Sequence, residues 1–217
     1  MALDELLLRE VQHPVLRFYF ASQPSLSVGY STHPGNIANP QNLPVCRRLT
    51  GGGAVEHGRD LLFSLAADKM DDVSFASVRL SYLKIHEAVK WGLEALGKKP
   101  RFYRCDESLP RGSDCFAFPI ASDLALDGRK IAGGAQKRSA GRLLHQESVK
   151  IPPGADAEAL ILQIQKGFQH IFKMEGTSVE MDPEWFLRAK RLAAEHYEQP
   201  LAAAGPDAAE PALLMQA

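Results

Sequence analysis

Two glycine-rich blocks carry residues able to do chemistry: Arg47-Arg48-Leu49-Thr50-Gly51-Gly52-Gly53-Ala54-Val55-Glu56-His57 and Gly128-Arg129-Lys130-Ile131-Ala132-Gly133-Gly134-Ala135-Gln136-Lys137-Arg138. Each sets fixed positive charge beside glycines, which let backbone N–H groups approach a ligand closely. One such block is a weak signal, because glycine loops cradle many ligands and also simply turn the chain. Two, each flanked by β-like apolar runs, suggest opposite walls of one pocket for an acyl or acyl-phosphate group. Arg48 with Gly51, Gly52 and Gly53 forms one wall, offering N–H donors to a carbonyl or phosphate. The bland alternative is a surface loop, the default home of glycine.

Lys130 follows Asp127-Gly128, the strongest short hairpin signal in the chain. Its ammonium therefore projects from the start of a strand, as a solvated hairpin lysine or as a cation for a carbonyl oxygen. Gly133, Gly134 and Ala135 favour the second reading, since small residues build no core but leave room for a chain to lie across the strand. His57 is either a general base or a structural pocket-lining residue. Cys115 lies on an irregular, glycine-flanked stretch. A thiol accepts an acyl group from a thioester at little cost, provided nearby positive charge such as Lys130 or Arg48 depresses its pKa. Otherwise it is a small hydrophobe packed under Phe116 and Phe118.

The elements that must position these groups fit one domain over residues 1–198, followed by an Ala/Pro-rich tail, 199–217, expected to be disordered. Apolar patterning predicts a helix over 2–12, strands at 15–20 and 25–29, a loop over 32–44, and strands at 45–49 and 61–67. It further predicts a helix from Ser74 to Leu96, a hairpin of 123–126 with 130–132, a strand over 143–151, and helices over 157–172 and 183–196. Asp182 before Pro183 is a sound helix start. The class is α+β.

Hydrophobic residues at 45% and charged residues at 24% describe an ordinary globular chain, and a net charge of −1 gives no whole-protein case for nucleic acid. Cys46, Cys105 and Cys115 are too few and odd in number for a disulfide framework. With no signal-peptide pattern and no apolar run of membrane-spanning length, the expectation is a cytoplasmic protein. His33, His86, His145, Cys46 and Cys105 show no metal-ligand spacing, so no metal is expected. His145 and Gln146 end the last strand and line the mouth of the pocket. Arg101, Arg104, Arg138 and Arg142 are candidates to attract an acidic partner.

Arg47 to Ser64 resembles the glycine block of the lipoate–protein ligase and octanoyltransferase family, and Asp123 to Ser148 resembles its lysine block. Met1 to Glu5 and Ser25 to Tyr30 are similar to the family's opening helix and second strand. The resemblance implies a central mixed β-sheet flanked by helices, the biotin/lipoate protein ligase-like catalytic domain. It maps the family lysine onto Lys130, there to bind the substrate carbonyl and stabilise the oxyanion. Asp114-Cys115-Phe116 followed by Asp123-Leu124 is most similar to members that use a cysteine nucleophile. Cys115 would then carry octanoyl, or lipoyl, from acyl carrier protein to a lysine of a lipoyl domain, such as glycine cleavage H protein or a 2-oxoacid dehydrogenase E2. Such a monomer needs no cofactor.

Three departures matter. The strand that normally precedes the Met-Ala-Leu-Asp-Glu helix is missing. The triple glycine is closer to ligases, which keeps open an ATP- and Mg-dependent lipoate–protein ligase domain served by an accessory subunit. Gln146-Glu147 stands where many members have His-Gly. A carboxylate there, beside the pocket, is the support for a non-catalytic acyl-binding relative.

Overall fold

The computed structural model describes residues 1–103 and 122–197. Cys115 and its neighbours, Cys105, Arg104 and the Ala/Pro-rich tail fall outside them. Among the described residues the α+β class holds, with strands in two sheets and helices on both sides of the larger one.

The larger sheet is built on β5 (Asp60–Asp68) and β9 (Arg142–Lys150), paired antiparallel over their whole length. β1 (Val15–Tyr19) joins on the outer side of β5; β8 (Arg129–Ser139), β7 (Leu124–Leu126) and β6 (Arg101–Phe102) follow beyond β9. Every pairing in this sheet is antiparallel. The parallel pairing lies in the small sheet, where β2 (Ser25–Val28) runs parallel to β3 (Val45–Arg47) and antiparallel to β4 (Val55–His57).

Period-2 alternation sorts β5 into two faces. Leu61, Phe63, Leu65 and Ala67 join the main core beneath α2 (Val78–Ala95) and α3 (Ala157–Phe172). Ala66 packs on the other face with Leu3, Leu7 and Leu8 of α1 (Ala2–Glu10), which α4 (Pro183–His196) covers in turn. Asp4 of α1 is fully buried because the sheet satisfies it. It accepts from Arg17 at 2.5 Å, Ser64 at 2.7 Å and Gln146 at 2.7 Å.

The helix starts are written in the sequence. Asp156 accepts from the Ala159 N–H at 2.8 Å, and Asp182 from the Glu184 N–H at 2.8 Å with Pro183 in the first turn. The helix expected from Ser74 is instead a 3-10 turn, Val73–Ala76, ended by Ser77. Ser77 is extended (φ −114°, ψ 131°) and caps α2 through its side chain. The hairpin strand expected to end at Ala132 runs on to Ser139, because Gly133, Gly134 and Ala135 pair with Ser148, Glu147 and Gln146 of β9. β4 was not anticipated at all.

Candidate active site

A cleft opens between the small sheet and the β5–β9–β8 face, holding about 490 Å³ of atom-free space including its mouth. Arg48, His57, Lys130, Gly133, Gly134 and Ala135 all line it, so both sequence blocks do meet at one site. Ser27, Gln146 and Ser148 line it as well. Gly51, Gly52 and Gly53 stand behind Arg48 rather than in the lining.

Arg48 shows why the glycine loop holds its shape. Its guanidinium donates to the carbonyls of Gly51 and Gly53, both at 2.9 Å, and to Ser27 Oγ at 2.8 Å. The neighbouring Thr50 donates to Gln146 at 2.9 Å, which ties the loop through Gln146 to Asp4. Lysine cannot reproduce a planar fork with divergent donors. Arg48→Lys is therefore expected to cost about 1–3 kcal/mol, read from urea unfolding.

His57 stands at the end of β4 and donates from Nδ1 to Asp60 Oδ2 at 2.7 Å. A carboxylate only accepts, so Nδ1 carries a proton; in the neutral imidazole Nε2 then presents its lone pair. Ser27 Oγ lies 2.6 Å from that Nε2. Asp60 is fixed further by Ser148 Oγ at 2.6 Å and the Gly58 N–H at 3.0 Å. Burial pushes its carboxyl up, but the bonds from His57 and Ser148 and the charge of Lys150 outweigh that and hold it at about 2.

Lys130, at the hairpin whose turn residues Asp127 and Gly128 have φ of 51° and 77°, is nearly buried and ion-paired with Asp123 at 2.7 Å. A Cβ on Gly133 would come within 2.2 Å of Lys130 Cε. The space that glycine leaves is thus filled by the lysine stem, which lies across the strand and carries its ammonium into the cleft wall. At Gly134, a Cβ would meet Glu147 Oε2 at 2.2 Å and His145 Nε2 at 2.4 Å.

Those contacts reveal a cluster that no sequence spacing announced. His145 and Glu147, two apart on β9, share the core face with His86 of α2, and all three side chains are wholly buried. Glu147 Oε2 accepts from His86 Nε2 at 2.9 Å and His145 Nε2 at 2.7 Å. These are the described residues with the composition to hold a cation, their ligand atoms lying within 4.8 Å of one another. The hydrogen bonds assign the protons differently. His86 Nδ1 donates to the Ser122 carbonyl, so its second bond to a carboxylate makes it an imidazolium. Gln136 Oε1 accepts from Ser81 and Arg138, which turns its amide NH₂ toward His145 Nδ1 at 3.2 Å. His145 is then neutral, with its proton on Nε2. Burial lowers the His145 pKa; for His86 burial also pulls down, but the Glu147 charge prevails and raises it. Burial pushes Glu147 up, and the two histidines bring it down to about 2. Glu147, the carboxylate expected beside the pocket, does line the cleft, but its side chain is wholly buried and its charge is spent on the two histidines.

Asp60 and Glu147, with ordinary values of 3.8 and 4.5, are both depressed in the fold. Their stabilisation is complete above the ordinary values and is lost as pH falls through them toward 2. Thermal melting is expected to drop steeply over that window, and Glu147→Gln to flatten the drop. A melting temperature indifferent to acid would contradict the assignment.

Of the arginines considered for an acidic partner, Arg138 is turned inward, donating to the Phe75 carbonyl at 2.5 Å and Ser81 at 2.8 Å. Arg142 donates to the Leu8 carbonyl at 3.3 Å. Arg101 is exposed. No helix among the described residues is long and apolar enough to cross a membrane.

Comparison with known proteins agrees with this architecture. Residues 1–171 match the lipoyl protein ligase A/B catalytic domain. The chain is 36% identical over 165 residues to octanoyltransferase LipM of Bacillus subtilis, covering 69% of this chain and 59% of that protein. It is 32% identical over 160 residues to octanoyltransferase LipM of Oceanobacillus iheyensis, covering 70% and 59%. It thus spans about three fifths of the length of these curated relatives. In fold it is similar to a lipoate-protein ligase A crystallised with ATP, with a TM-score of 0.74 at 20% identity over 89% of this chain and 88% of that one. A bipartite lipoate protein ligase of Thermoplasma acidophilum gives 0.70 at 20% identity over 89% and 86%.

Proposed function

Because the chain belongs to the lipoyl protein ligase A/B catalytic domain family, we propose that it is an acyltransferase moving octanoyl, or lipoyl, from acyl carrier protein to a lysine of a lipoyl domain. The observation that carries this reading is the cleft itself. A cation fixed by Asp123 and an imidazole oriented by Asp60 line the same small space. The resemblance to cysteine-dependent members and to the octanoyltransferases LipM supports the transferase over the ligase.

In the first half-reaction the Cys115 thiolate attacks the carrier's thioester carbonyl, the C–S bond to the carrier breaks, and the carrier leaves as its thiolate. Lys130 stabilises the negative charge that develops on the carbonyl oxygen, in a wall that needs no rearrangement as the charge appears. In the second half-reaction the lysine amine of the acceptor attacks acyl–Cys115. Its proton passes to the His57 side of the cleft, where Asp60 balances the imidazolium, and the C–S bond breaks. One thioester replaces another and an amide follows, so no ATP, metal or cofactor enters.

The test is transfer from octanoyl–acyl carrier protein to a lipoyl domain without nucleotide. Transfer is expected without ATP and Mg, and lost in Cys115→Ser. A protein that acylates the domain only from free acid with ATP, and keeps doing so in Cys115→Ser, is a ligase instead.

A further inference from the structure

We propose that Ser27, His57 and Asp60 form a second acyl-accepting unit in the cleft, able to take an activated acyl group onto Ser27 Oγ and release it to water. This rests on reading the cleft as an acyl site but not on Cys115. The geometry is that of nucleophile, base and orienting carboxylate. Ser27 Oγ is 2.6 Å from His57 Nε2, and His57 Nδ1 is 2.7 Å from Asp60 Oδ2. In the neutral imidazole, Nδ1–H points to the carboxylate and the serine O–H can point to the Nε2 lone pair. Ser148 donates to the same Oδ2 and the Gly58 N–H to Oδ1, so the carboxylate is fixed and the imidazole is aimed rather than merely near.

A serine that only filled space would not need the remaining contact. Arg48 Nη1 donates to Ser27 Oγ at 2.8 Å, placing a buried guanidinium where negative charge grows as the hydroxyl loses its proton. Both Ser27 and Arg48 line the same cleft as Lys130, the cation already assigned to the carbonyl oxygen. Nucleophile, base and charge stabiliser thus line one space, with the orienting carboxylate behind the base.

The reaction balances without a further reagent. Ser27 Oγ adds to the carbonyl carbon of an acyl thioester while its proton passes to His57 Nε2. The C–S bond breaks, and the thiol leaves with that proton, giving an acyl–Ser27 ester. Water then attacks the ester carbonyl, gives a proton to His57 Nε2, and the C–O bond to Ser27 breaks as the serine takes it back. The products are a free carboxylic acid and the starting enzyme. Such a unit would clear acyl groups that find no acceptor lysine.

The test uses the full chain with a fluorophosphonate carrying an octyl chain, a probe that phosphonylates activated serines, followed by peptide mass mapping. Ser27 is expected to be labelled, and His57→Ala and Asp60→Asn to slow labelling by about a hundredfold or more. Circular dichroism of both variants shows whether each remains folded. Ser27→Ala, a minimal change, should lose the adduct and slow hydrolysis of octanoyl thioester. Absence of a Ser27 adduct would overturn the proposal, as would labelling that is unchanged in both folded variants. Acyl–Cys115 is mapped separately with octanoyl–acyl carrier protein, so failure of the transferase reading is seen independently.

Discussion

Replacing Lys130 with Ala is expected to lower the rate of acyl transfer by about 10²–10³-fold, the usual effect of deleting one preorganised charge stabiliser. Its side chain is 7% exposed, ion-paired with Asp123, and laid across Gly133, so its ammonium is held rather than free to search. An interaction made mainly in the transition state lowers kcat and kcat/KM together and leaves KM little changed. Lys130→Arg should not rescue. The stem passes so close to Gly133 that a hypothetical Cβ there lies 2.4 Å from Nζ, and a guanidinium needs more room. Because Asp123 is itself nearly buried and loses its Lys130 partner, each variant must also be melted. Single-turnover rates on protein shown to be folded measure the effect. A Lys130→Ala variant that is folded and transfers at the parental rate would remove Lys130 from the chemistry.

Removing Glu147 is expected to be the most damaging change to the fold. Glu147→Ala takes the shared acceptor from His86 and His145 in a site where none of the three side chains meets solvent. Breaking a buried ion pair from one side typically costs about 3–5 kcal/mol, a large share of a domain's whole stability. Glu147→Gln should cost far less. Its amide oxygen, placed where Oε2 stands, can still accept from both His86 and His145. The contrast between Ala and Gln, measured by denaturant unfolding, separates lost pairing from lost charge. Equal losses would show that the charge pair, not the hydrogen-bonded shape, dominates.

How much of this could be read beforehand follows from where each signal resides. Asp182 with Pro183 and the Asp127-Gly128 turn act locally, through residues a few positions apart, and both are found where the chain indicates. The long course of β8 was hidden because Gly133, Gly134 and Ala135 have little strand propensity of their own; their ladder partners on β9 decide the matter. The cleft's two walls were legible as glycine blocks, but the residues that orient them were not. Ser27 and Gln146 act on groups brought close only by the sheets, whereas Asp60, three residues from His57, was near enough in sequence to be found. His86 lies 61 residues from Glu147, so no motif links them. Neighbours in a strand face opposite ways, so Gln146 meets the loop at Thr50, while Glu147, also in the cleft's lining, turns its carboxylate toward His86 of α2. The two glycines of the lysine block also make room for protein side chains, Lys130 at one and the Glu147 cluster at the other.

The claim on which the account turns is that the chain carries its acyl group on Cys115 between donor and acceptor. Intact-protein and peptide mass spectrometry after incubation with octanoyl–acyl carrier protein, without ATP, tests it most directly. An octanoyl adduct is expected on the peptide containing Cys115, labile to neutral hydroxylamine and discharged when a lipoyl domain is added. A chain that acquires no adduct on Cys115 and leaves the lipoyl domain unmodified would contradict it.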